Sequence, residues 1–76
     1  MDLKDAAAVA KEHICDLFVA DAPQNVRLEG FLYDDHLRVW SFTIGFTRGD
    51  GAKSVPISKI VRVSEANKSV LSVRDP

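Results

Sequence analysis

The sequence predicts a two-layer α+β domain, with one N-terminal helix packed on one face of a four-stranded antiparallel meander. Three observations carry this. Apolar residues recur at offsets of three and four over residues 3–19, the period changes to two from Val26 onward, and the later apolar runs are separated only by short polar turns. Residues 1–76 form a single domain, because a chain this short has no room for a second core.

The helix places Leu3, Ala7, Ala10, Ile14, Leu17 and Phe18 on one stripe. Asp2 is its expected N-cap, and Asp5 adds negative charge where the helix dipole favours it. Ala6, Ala7, Ala8 and Ala10 favour helix and keep its N-terminal half thin enough to lie close to a sheet. Pro23 disfavours helix at Ala22 and makes Ala22–Asn25 a linker.

Strands are expected at about 26–33, 37–47, 53–63 and 69–74. In the second, Trp40, Phe42, Ile44 and Phe46 alternate with small or polar residues and must face the core. Parity then sets the first hairpin's register. A two-residue Asp34-Asp35 turn would place Glu29 against Trp40 and Arg27 against Phe42, burying charge. A three-residue loop, Asp34-Asp35-His36, instead pairs Gly30 with Trp40, Leu28 with Phe42 and Val26 with Ile44, and an aromatic over Gly30 shields bare backbone. That register sends Phe31, Tyr33, Leu37 and Val39 to the sheet face away from the helix. Pro56 allows Lys53–Ile57 only an edge or broken strand. In the last hairpin, Val63 is expected against Leu71 and Val61 against Val73, with Asn67 as the left-handed turn residue.

Hydrophobic content of 46% and charged content of 28% are those of a folded protein. Net charge is −1, divided as −3 over residues 1–25 and +2 over residues 26–76, so no basic footprint argues for nucleic acid or anionic lipid. The single cysteine, Cys15, rules out an internal disulfide. No basic n-region followed by an apolar run marks a signal peptide, and no apolar stretch has membrane-spanning length. A cytoplasmic protein is the default expectation, which a leader removed from the chain would cancel.

The stretch "VRVSEANKSVLSVRD", residues 61–75, together with "FTRGDGAK", residues 46–53, resembles the PepSY-like domains, small helix-plus-meander modules of broadly cystatin-like shape. The chain departs from that pattern at Ser64, where the family's turn has Asp, and at Lys68, where it has Gly. The resemblance implies a non-enzymatic module of the protease-propeptide or envelope-associated kind. The missing signal sequence argues against the envelope role.

Candidate chemistry is sparse. Arg48-Gly49-Asp50 spells the tripeptide that integrins read, but it falls where a glycine turn is needed and secretion has no support. Asp34-Asp35-His36 carries metal-ligand types, yet adjacent loop residues seldom converge on one ion. His13 and Cys15, two apart on a helix, point to different sides and form no thiolate–imidazole pair, and Cys15 is expected to be a buried or half-buried small hydrophobe. No catalytic residue, metal site, cofactor or small-molecule ligand is therefore assigned. The candidate protein-binding residues are Phe31, Tyr33, Leu37 and Val39, an apolar set on an uncovered sheet face. They point to a small interaction module of the inhibitor, immunity or antitoxin kind, binding a protein partner or a second copy. The alternatives are a single-stranded nucleic-acid binder, with aromatics beside Arg62 and Arg74 stacking bases, and a small enzyme without a recognisable motif.

Overall fold

The computed structural model describes residues 2–48 and 55–76. Its elements are α1 (Leu3–Leu17), a 3₁₀ turn (Val19–Asp21), β1 (Gln24–Asp34), β2 (Val39–Arg48), β3 (Val55–Ser64) and β4 (Ser69–Arg74). The strands form one antiparallel sheet in the order β1-β2-β3-β4, and α1 packs on one face of it. This is the predicted α+β architecture.

Asp2 caps α1 as expected, its Oδ1 accepting the Asp5 N–H at 2.9 Å. Ala6, Ala10 and Ile14 are fully buried against Phe42, Ile44, Phe46, Val61 and Val63. The helix ends at Leu17, two residues before the predicted limit, and Leu17 is 54% exposed rather than part of the core. Phe18, predicted on the same stripe, does pack against the core, its ring 5.2 Å from that of Phe46. The chain then tightens into the 3₁₀ turn and leaves it through Ala22 in the left-handed region (φ 48°).

The first hairpin differs from the three-residue-loop register. Its loop is four residues, Asp35–Arg38, so Asp34 pairs with Val39, Tyr33 with Trp40, and Phe31 with Phe42. Carried straight on, that register would set Glu29 opposite Ile44 on the core face. The strand instead bulges between Leu28 and Gly30. Leu28 then opposes Ile44, and the Glu29 carboxylate lies over Gly45 on the other face. One extra residue thus lets odd-numbered Phe31 and Tyr33 share a face with even-numbered Leu28, and keeps a charge out of the core. The expectation that Phe31 and Tyr33 face away from the helix is overturned, because it assumed an unbroken strand. The expected Gly30–Trp40 pair is replaced by Gly30–Thr43, and no side chain covers Gly30.

The last hairpin uses the same device. Val61 pairs with Val73 as predicted, but Val63 pairs with Val70. Leu71 is the extra residue between Val70 and Ser72 and is 51% exposed, so the expected Val63–Leu71 contact is not made. The two hairpin turns are built alike. Asp34 Oδ1 accepts the Leu37 N–H at 3.0 Å, and Ser64 Oγ accepts the Asn67 N–H at 3.3 Å. The left-handed residue is the last of each loop, Arg38 or Lys68 (φ 55° in both), and not Asn67 as predicted. Ser64 therefore does what an Asp would do at that position.

Pro56 sits where the sequence allows it. The β4 pairing stops at Ile60–Arg74, so among the described residues the segment around Pro56 has β2 as its one neighbour. The glycine turn expected at residues 49–51 lies outside the described residues.

The extents are 44 × 19 × 18 Å. A 15-residue helix spans about 22 Å, whereas an 11-residue strand spans about 36 Å. The Phe18–Phe46 contact holds the helix C-terminus at the end of the sheet where β1 begins. The β1–β2 hairpin tip therefore runs on past the helix.

Candidate apolar surface at the hairpin tip

The uncovered part of the helix-side face is aromatic. Trp40 lies at its centre, with ring centroids at 4.6 Å from Tyr33, 6.2 Å from Phe31 and 5.7 Å from Phe42, the last pair stacked at 8°. Phe42 is fully buried, while Phe31 and Tyr33 are 50% and 36% exposed. The burial gradient follows from α1 ending over the middle of the sheet. Trp40 Nε1 is buried and has no acceptor among the described residues.

A charged pair borders this surface. Arg38 and Glu65, from the two adjacent hairpin turns, meet at 3.1 Å, and the Glu65 backbone N–H donates to the Arg38 carbonyl at 3.0 Å. The neighbouring Tyr33 hydroxyl, and then the Arg38 guanidinium, hold the Glu65 carboxyl below its ordinary range. The same carboxylate beside the phenol pushes Tyr33 up.

A groove of about 660 Å³ lies on the helix side of β1, lined by Leu3, Ala7, Ala8, Lys11 and Leu28 with Asp2 and Lys4 at its margin. Along β1, Leu28 continues the apolar surface to Phe31 and Tyr33. The four residues predicted to bind protein therefore do not share a face. Phe31 and Tyr33 lie beside Trp40, Leu37 is 61% exposed in the turn, and Val39 is 6% exposed and presents almost nothing to a partner. Leu32, which unbroken alternation with Leu28 would turn toward the core, is 76% exposed at the open edge, because the bulge before Gly30 reverses its face.

The opposite face is polar near β1. Glu29 Oε1 accepts from Ser58 Oγ at 2.7 Å, and Glu29 Oε2 lies 3.2 Å from Arg27 Nη2. The carboxylate crosses Gly45, where an added Cβ would meet Glu29 Cδ at 2.5 Å. Glycine is needed here for space. Gly45→Ala should displace Glu29 from its partners and lower stability by about 1 kcal/mol, the lost charged hydrogen bonds outweighing the gain from replacing a strand glycine. In a Glu29→Ala background the same change should be neutral or stabilising. Urea denaturation of the four proteins checks the reversal of sign.

Arg48 is engaged within the fold, its Nε 3.1 Å from Asp21 Oδ1, while Gly49 and Asp50 lie outside the described residues. Cys15 is exposed on the solvent side of α1 rather than buried or half-buried as predicted. Asp34 serves its turn, and among the described residues no group of three or more His, Cys, Asp or Glu side chains converges as a metal site. No described helix is long and apolar enough to cross a membrane. No family model matches the chain, and no curated protein or solved structure matches it.

Proposed function

We propose that this chain is a small non-enzymatic protein-interaction module, of the inhibitor, immunity or antitoxin kind, that binds through the outer hairpin. The observation that carries it is the placement of Phe31, Leu32, Tyr33 and Leu37, all at least 36% exposed, at the end of the sheet that α1 does not reach. Covering the part of each side chain still in water contributes on the order of 1 kcal/mol before ordering costs, since all four are already partly buried. The Trp40 shelf behind Tyr33 reduces those costs, since the ring contact already constrains both rotamers. The helix-plus-meander order is also what the PepSY-like resemblance implies for a binding domain.

The rival is a base-stacking surface, for which Phe31, Tyr33 and Trp40 beside Arg38 would be the platform. A photo-crosslinking phenylalanine at position 31, compared with one at exposed Ala20, separates the two in cells. A discrete polypeptide adduct at position 31, reduced by Tyr33→Asp, is the expected result. Ribonuclease-sensitive adducts would favour the rival. No polypeptide adduct beyond that seen at position 20 would end the interaction reading.

A further inference from the structure

Building on that reading, we infer that the partner at the hairpin tip is a second copy of this chain, paired antiparallel along the open edge of β1 with the two-fold axis at Leu32. The edge itself supplies the first reason. Among the described residues β1 has β2 as its one neighbour, so half of its backbone donors and acceptors find no partner in the described sheet. Edge strands are usually protected by charge, proline or a bulge. Here the bulge lies at Glu29, whose carboxylate turns inward over Gly45 to Ser58, and the next charge on the strand is Asp34 at the hairpin end, whose Oδ1 accepts the Leu37 N–H. Between them, Gly30-Phe31-Leu32-Tyr33 is a regular, uncharged, proline-free run. The opposite edge is protected. β4 is six residues long, carries the Leu71 bulge, and ends in Arg74 and in Asp75, which pairs with Lys59.

The second reason is self-complementarity, which an isologous contact requires. With the axis at Leu32, the two Leu32 side chains meet on one face. On the helix-side face, Phe31 of each copy lies opposite Tyr33 of the other, an aromatic cross-strand pair made twice. The neighbouring registers lack this match. An axis at Tyr33 sets Leu32 against Asp34, and an axis at Phe31 runs Tyr33 into the Glu29 bulge. The helices do not obstruct the pairing. Each covers the sheet end away from the tip, and antiparallel strands centred near the tip send the two bodies in opposite directions. The product is a continuous eight-stranded sheet with both helices on one side.

A contact of about five residues per strand belongs to the small, reversible class of interfaces, with a Kd on the order of micromolar. Light scattering on the wild-type chain should show a mass rising with concentration from 8.4 kDa towards twice that value. Leu32→Glu and Leu32→Lys each place like charges opposite one another, and each should weaken association at least about 100-fold. Leu32 is mostly exposed, so both variants should keep the wild-type circular dichroism spectrum. An equimolar mixture of the two should regain dimer, because only a residue that faces itself across the axis is rescued in this way. A wild-type dimer that survives either charge, or a mixture that stays monomeric, overturns the register. A wild-type chain that is monomeric throughout overturns self-pairing and leaves the crosslinking experiment to judge the wider reading.

Discussion

Phe42→Ala is expected to cost about 3–5 kcal/mol, enough to unfold most or all of a domain of this size at room temperature. Phe42 is fully buried at the centre of β2, stacked on Trp40 and paired with Phe31 on one side and Val61 on the other. Removing the ring loses its transfer free energy and leaves a cavity. The surrounding strands are held by ladder bonds on both sides and cannot collapse into that space. Loss of the circular dichroism signal, or a urea midpoint near zero, is the expected observation. A midpoint close to wild type would mean that the helix-side face is not the core. Phe31→Ala should cost far less, since half of that side chain is already in water, which makes it the internal control.

Ala10→Leu is expected to destabilise by about 1–3 kcal/mol through overpacking. Ala10 is fully buried where α1 meets the sheet, with Ala6 also at zero exposure and Ala7 at 9%. These small residues set the approach of the helix to Phe42, Ile44 and Val61. Three added carbons at Ala10 must push the helix outward or force a neighbouring ring off its rotamer. Either response disturbs contacts along the rest of the interface. Ala8→Leu, on the exposed side of the same helix, should change the thermal midpoint by little. Equal midpoints for the two variants would place the helix on the sheet by a different face.

Much of the architecture is local and therefore legible in the order of residues. The Asp2 cap and the Ala/Ile spacing of α1 depend on groups three or four positions apart. The Trp40–Phe46 alternation marks the interior strand because β2 is flanked on both sides and has no bulge. Pro56 announces a segment with one neighbour, which β4's early end supplies. The left-handed residue was misplaced in the last turn because two four-residue loops, each closed by an Asp34 or Ser64 acceptor, put Arg38 and Lys68 there whatever their intrinsic preference.

The edge strands were decided by tertiary structure. In β1 the odd residues Phe31 and Tyr33 and the even residue Leu28 are all apolar, so no unbroken strand can send them to one face. A bulge at Glu29 resolves the conflict, and it is favourable because Gly45 leaves room for the carboxylate and Ser58 Oγ donates to it. Those two residues lie 16 and 29 positions away, out of reach of any local pattern. β4 repeats the pattern at Leu71. The candidate surface was likewise set by a comparison of lengths. A helix rises about 1.5 Å per residue and a strand about 3.3 Å, so 15 helical residues cannot roof an 11-residue strand. The sequence determined that this protein would have a helix over a meander. Only the packed structure decided which side chains the helix would leave uncovered.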